Sequence, residues 1–135
     1  MEKFVIDGGV PLCGTVVPAG NKNAALPILA ACVLTEDEVV VRNVPRIRDV
    51  EAMLAVLQGI GVRVARPGEH EVVLCAADVD PQAEVHREHA EAIRASFLLA
   101  GPAVAPLRPA HMPPPGGDVL RRPRLEPHLP ALRAL

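Results

Sequence analysis

Ala19-Gly20-Asn21-Lys22-Asn23-Ala24-Ala25-Leu26-Pro27-Ile28, continued by Leu29-Ala30-Ala31-Cys32-Val33-Leu34, is the stretch on which the fold turns. From Ala24 to Leu34 it has no charged residue and no polar face. A helix that is apolar all round belongs in an interior, so this stretch is expected as a buried helix. Starting at Lys22 or Asn23, it would place Pro27 in its first turn, where a missing N–H costs little. The start of the helix differs in kind from its body. Asn21, Lys22 and Asn23 follow directly on a glycine, where backbone N–H groups are unpaired and the helix dipole favours anions. Two readings fit: an N-cap with a solvated lysine, or an anion pocket at the mouth of a buried helix.

Outward from this helix, the chain alternates short strands and helices. Lys3-Phe4-Val5-Ile6-Asp7 and Gly14-Thr15-Val16-Val17 read as strands around a Gly-Gly and Pro11 turn. Thr35-Glu36-Asp37 ends the first helix, and Glu38-Val39-Val40-Val41-Arg42 is a β-branched strand. Asp49 is placed to cap a second helix, in which Val50, Met53, Leu54, Leu57 and Ile60 recur at helical spacing. Gly59 and Gly61 mark its end. Val62-Arg63-Val64-Ala65 and Val72-Val73-Leu74-Cys75 flank a turn at Arg66-Pro67-Gly68-Glu69-His70, which predicts a hairpin. A third helix is expected from about Glu88 to Ala105, burying Ile93, Phe97, Leu98 and Val104, with Gly101-Pro102 breaking or kinking it. Nine of the fifteen prolines lie between Pro102 and Pro130, so residues 102–125 are expected as a long Pro/Gly-rich loop.

Composition narrows the function. The 135 residues suffice for one modest core, and that core must be aliphatic, since the aromatics amount to two Phe. A formal net charge of −2 argues against a nucleic-acid surface or a polybasic membrane anchor. The longest apolar run falls short of a membrane span, and no signal peptide is apparent at Met1-Glu2-Lys3. Cys13, Cys32 and Cys75 are widely spaced, as expected of reduced thiols in a cytoplasmic protein.

The stretch Gly20-Asn21-Lys22-Asn23-Ala24-Ala25-Leu26-Pro27-Ile28 resembles the opening motif of the enolpyruvyl transferase (EPSP synthase-like) family, in its UDP-N-acetylglucosamine 1-carboxyvinyltransferase branch. The resemblance continues through Arg42-Asn43-Val44-Pro45 with Asp49-Val50, through Ile93-Arg94-Ala95-Ser96, and through Pro115-Gly116-Gly117-Asp118. Four motifs in the family's order cover nearly the whole chain, and only the front portion of the family's length. The resemblance implies an α/β fold of βαβαββ repeats forming an inside-out α/β barrel, with helices inside and sheets outside, here incomplete. It also implies that residues 1–20 join the sheet of a second lobe, while residues 21–135 form part of the first, catalytic lobe. The nearer alternative is the shikimate-pathway enolpyruvyl transferase, which shares fold and chemistry. The more distant one is a non-catalytic fragment that binds ligand or self-associates.

The implied reaction joins the 3-hydroxyl of UDP-N-acetylglucosamine to the central carbon of phosphoenolpyruvate and then expels phosphate, the first committed step of peptidoglycan synthesis. It requires cations for carboxylate and phosphate, an acid for the methylene carbon and a base for the hydroxyl proton. By resemblance, Lys22 binds phosphoenolpyruvate and Asn23 belongs to the same pocket. A lysine ammonium suits a small anion through its charge and three rotatable donors. Arg94 corresponds to a substrate-contacting arginine; the alternative is a surface arginine paired with Glu91 at i,i+3. Asp118 stands where most members carry a cysteine as general acid, and some carry aspartate. A carboxyl group beside bound phosphate is kept protonated by like-charge repulsion and desolvation, and Gly116-Gly117 supplies a hinge. Beyond Asp118 the chain departs from the pattern. Arg121 stands at the family's glycine and Pro123 at its nucleotide-holding arginine, leaving Arg122 or Arg124 to serve.

Other chemistries find no support. His86-Arg87-Glu88-His89 lacks the zinc spacing and a third ligand, so no metal is expected. The glycines around Thr15 lack a P-loop lysine, there is no Gly-x-Gly-x-x-Gly, and Ser96 is the only serine. No cofactor is expected. The expected partners are the two small-molecule substrates and a missing C-terminal lobe or a second copy, and the 135 residues alone are expected not to turn over.

Overall fold

Asn21 opens the first helix of the chain. Its backbone is extended (φ −88, ψ 130), and its side-chain oxygen accepts from the N–H groups of Asn23 at 2.8 Å and Ala24 at 3.2 Å. Two of the donors that a helix start leaves orphaned are thereby satisfied. In the computed structural model, which describes residues 3–9, 11–86, 94–102 and 130, this cap starts helix α1 (Lys22–Ala31). A 3₁₀ turn (Cys32–Leu34) extends it. There follow β1 (Val39–Arg42), α2 (Arg48–Gly59), β2 (Arg63–Gly68), β3 (Glu71–Cys75) and a 3₁₀ segment (Arg94–Ala100).

The sheet has three strands in the order β1-β3-β2, with β3 antiparallel to both neighbours. β1 and β2 therefore run parallel to each other with β3 between them, and α2 is the crossover that joins them. Register sets the inner face. Val39 pairs with Leu74 and Leu74 with Val64, while Val41 pairs with Val72. All five belong to the hydrophobic core or pack against it. On the opposite face Arg42 pairs with Glu71, Nε to Oε2 at 3.0 Å. The hairpin turns on Glu69-His70, with an irregularity between Ala65 and Gly68, so Arg66 and Pro67 lie within β2 rather than in the turn.

The expected stripe of α2 is the centre of the core. Val50, Met53, Leu57 and Ile60 are fully buried and Leu54 nearly so. Each such side chain contributes about 1.5–3 kcal/mol by leaving water. The helix ends in a Schellman motif: Gly61 N–H donates to the Gln58 carbonyl and Val62 N–H to the Leu57 carbonyl, both at 3.0 Å. Gly61 has φ +98, and a Cβ there would meet the Asp78 carbonyl oxygen at 2.7 Å, so the position requires glycine.

Several expectations are corrected. Helix α1 is not buried all round: Ala25, Leu26, Leu29 and Ala30 are buried, whereas Ala24, Pro27, Ile28 and Ala31 are exposed. It packs against α2 and the Arg94–Ala100 segment on one side, and nothing among the described residues covers the other. Pro27 is the sixth residue of the helix, in its second turn, so the Asn23 carbonyl loses its i+4 donor. Residues 3–9 and 11–20 form no strand, and Phe4, Val5, Ile6, Val16 and Val17 are exposed. Strand propensity requires a neighbouring strand to hydrogen-bond, and an isolated hairpin is marginal in water. Asp49 does not cap α2; Ile47 is the N-cap, without a side-chain bond, and Asp49 lies in the first turn. Within 94–100 the backbone is 3₁₀ rather than α. Three residues per turn bring Ser96 and Leu99 inward, both buried, and leave Leu98 exposed. Ile93 and Val104 lie outside the described residues.

Candidate functional site

Lys22 is the first residue of α1, and the cap at Asn21 directs the chain so that its side chain lies at the helix mouth. Its Nζ lies 2.6 Å from Asp49 Oδ2, in the first turn of α2. The two side chains are 50% and 37% exposed, so the pair is open to solvent on one side. The first turns of two helices thus meet at one ammonium and one carboxylate. Asn23, the next residue of α1, is exposed at the same end.

Backbone packing fixes this meeting point. A Cβ on Gly20 would sit 1.8 Å from the Asn43 carbonyl oxygen and 2.8 Å from Pro45 Cδ. Only a glycine lets the chain pass so close on its way into α1. Asn43 itself has φ +57, a conformation that asparagine tolerates better than most residues. The connection after it is tied to the hairpin turn: Val44 N–H donates to the His70 carbonyl at 2.9 Å, and His70 Nδ1 lies 3.1 Å from the Val44 carbonyl oxygen. The loop between β1 and α2 is therefore held from both sides, and with it the relative placement of the two helix starts.

The structure brings together part of the expected site. Lys22 and Asn23 share the mouth of α1, and the segment that begins at Arg94 packs on α1 and α2. The side chain of Arg94, and the whole of Asp118, Arg122 and Arg124, lie outside the described residues. Asp49 as the partner of Lys22 is a residue that sequence reasoning missed. It stands 27 positions away, and its signal, an acid in the first turn of the helix after Pro45, reads equally as a cap or a dipole partner.

A second polar cluster sits at the far edge of the sheet. Cys75 Sγ accepts from Arg63 Nη2 at 3.1 Å and lies 3.3 Å from the Glu36 carbonyl oxygen, and Arg63 Nε is 3.0 Å from Asp78 Oδ2. The bond to Cys75 and the charges around it push the exposed Arg63 guanidinium further up. Burial pushes the Cys32 thiol above its ordinary value. Among the described residues no group of three His, Cys, Asp or Glu is arranged to hold a metal, and no helix is long and apolar enough to cross a membrane.

The sequence profile of the family described as EPSP synthase (3-phosphoshikimate 1-carboxyvinyltransferase) matches residues 6–135. The UDP-N-acetylglucosamine 1-carboxyvinyltransferase of Treponema pallidum (strain Nichols) is 47% identical over 135 residues, 100% of this chain and 32% of that protein. The protein of the same name from Bradyrhizobium diazoefficiens is 43% identical over 138 residues, 98% of this chain and 31% of that one. The crystal structure of the enolpyruvyl transferase NikO from Streptomyces tendae superposes with a TM-score of 0.61 at 23% identity, covering 73% of this chain and 22% of that one. That likeness is one of fold, an α/β arrangement of which this chain holds part. The chain spans about a third of the length of the curated relatives it matches. With the profile running along almost all of its residues and such relatives matching it end to end, the chain belongs to the EPSP synthase (3-phosphoshikimate 1-carboxyvinyltransferase) family of enolpyruvyl transferases.

Proposed function

We propose that this chain carries the phosphoenolpyruvate-binding part of a UDP-N-acetylglucosamine 1-carboxyvinyltransferase, acting in the cytoplasm at the start of peptidoglycan synthesis, and so in cell shape and division. The observation that carries the reading is Lys22: a lysine at a solvent-open helix mouth, within a chain whose relatives are named for this reaction. That shared name favours the sugar nucleotide over shikimate as acceptor.

In this reading the ammonium of Lys22 and the start of α1 attract the phosphate of phosphoenolpyruvate, and Asn23 reaches the same pocket. Arg94 adds a second cation. Asp118 gives its proton to the methylene carbon as the sugar 3-hydroxyl bonds to the central carbon and loses its own proton to a base. In the following step the new methyl group gives up a proton as the carbon–oxygen bond to phosphate breaks, so that phosphate leaves and the double bond returns. Arg122 or Arg124 holds the nucleotide. The βαβαββ unit of the inside-out barrel supplies the frame. Residues 1–20 pair with a sheet of the second lobe, a role that their exposed Phe4, Val5, Ile6 and Leu12 support. Residues 21–135 belong to the catalytic lobe.

The test is phosphate release from phosphoenolpyruvate plus UDP-N-acetylglucosamine by the purified chain, with and without the C-terminal portion of a close relative. Activity is expected only on mixing. Steady turnover by the 135 residues alone overturns the reading that a second wall must exclude water from the intermediate. In the mixed system fosfomycin, which alkylates the cysteine of other members, is expected to spare activity, and Asp118→Cys to restore sensitivity. Covalent drug on Asp118 with loss of activity overturns its assignment.

A further inference from the structure

We propose that Asp49 is a positioning residue for Lys22: its carboxylate holds the ammonium at the mouth of α1 with two of the three N–H donors left for the phosphate of an incoming ligand. The inference rests on reading Lys22 as the phosphoenolpyruvate-binding cation.

The geometry supplies the argument. At the first position of α1, Lys22 sits at the positive end of its own helix dipole, which pushes an ammonium away rather than holding it there. Asp49 sits in the first turn of α2, where the dipole favours a carboxylate, so the anion is anchored and the cation follows it. The contact is short, 2.6 Å, and spans two helices that the packing of Gly20 on Asn43 and Pro45 brings together independently of either side chain. Exposed ion pairs contribute little to stability, so holding the fold together does not account for the pair.

A carboxylate beside an anion site acts in two opposing ways. It repels the ligand, and it spares the ligand the cost of ordering a lysine. Both side chains are substantially exposed, so water screens the repulsion. The four-carbon stem of lysine, by contrast, has large rotamer freedom that binding must otherwise freeze. Positioning wins.

The test uses the 135-residue chain and phosphoenolpyruvate alone, followed by the ³¹P signal of the ligand, with UDP-N-acetylglucosamine binding measured in parallel. Asp49→Ala is expected to weaken phosphoenolpyruvate about three- to tenfold, the range that ordering one long side chain commands. UDP-N-acetylglucosamine affinity is expected to stay unchanged, and Asp49→Asn, which keeps an acceptor for the ammonium, to recover most of the loss. Unchanged or tighter phosphoenolpyruvate binding by Asp49→Ala, with Lys22→Ala weakened, overturns this inference alone. Equal loss of both ligands in Asp49→Ala assigns a merely structural role and overturns it too. Wild-type affinity in Lys22→Ala, or no ³¹P response in the wild-type chain, overturns the reading of Lys22 and this inference with it.

Discussion

The two helices that meet at Lys22 and Asp49 handle their apolar residues in opposite ways. Helix α2 carries a narrow apolar stripe, and every member of it is buried. Helix α1 is apolar almost all round, yet Ile28 remains 48% exposed, and Leu34 in the turn beyond it 62%. In α2 the pattern and the burial agree, so the helix is complete within this chain. In α1 the pattern exceeds the burial, and the surplus is surface that the described residues do not use. Starts differ as well: Asn21 caps α1 with its side chain, whereas α2 begins at Ile47 with none. One helix is built to hold the core, the other to present a mouth.

The largest test of that contrast is a pair of truncations. Leu57→Ala, at the centre of the buried stripe, is expected to cost about 2–5 kcal/mol, read from the urea midpoint. Ile28→Ala, on the open side of α1, should cost under about 1 kcal/mol. Comparable losses would mean that α1 is covered in solution.

Next comes the glycine that sets the helix starts. Gly20→Ala drives a methyl into backbone at Asn43 and is expected to cost about 1–3 kcal/mol, the range for overpacking. Gly101→Ala, with nothing within 4 Å of its Cβ, should melt with the wild type and serves as the control. A Gly20→Ala protein that melts unchanged would separate the two helix starts from this contact.

Removing the cap sharpens the same point. Asn21→Ala is expected to cost about 1 kcal/mol by releasing the N–H groups of Asn23 and Ala24, with amide exchange quickened at α1 and not at α2.

The smallest effect is the dependence on alkaline pH. Burial raises the folded-state pKa of Cys32 above the unfolded one, so the native state binds the thiol proton more tightly. Stability from this group is whole below the ordinary thiol value of 9.0 and is lost as pH rises from there through the raised value. Denaturation midpoints should fall in that window, and Cys32→Ala should flatten the fall. At neutral pH a thiol reagent is expected to label the exposed Cys13 well before the buried Cys32.

Much of this was legible in the residues themselves. The stripe Val50, Met53, Leu54, Leu57, Ile60 predicted α2 and its buried face, because a 3.6-residue repeat leaves one side to bury. Gly59 and Gly61 marked its end, since a left-handed residue is needed to close a helix there. The β-branched runs marked β1 and the hairpin, and the motif around Lys22-Asn23 carried the family. The coverage of α1 was not legible, because an apolar repeat records what a face would bury and not what arrives to cover it. Nor were the coil at residues 3–9 and 11–20 or the 3₁₀ path of Arg94–Ala100: a strand exists only beside another strand, and helix type follows from packing that propensity does not encode. Asp49 shows the limit most plainly. Its sequence neighbourhood said helix start, and it is at one; that its carboxylate meets Lys22 depends on two backbone turns pressed together at Gly20, a contact made in space between residues that no local rule connects.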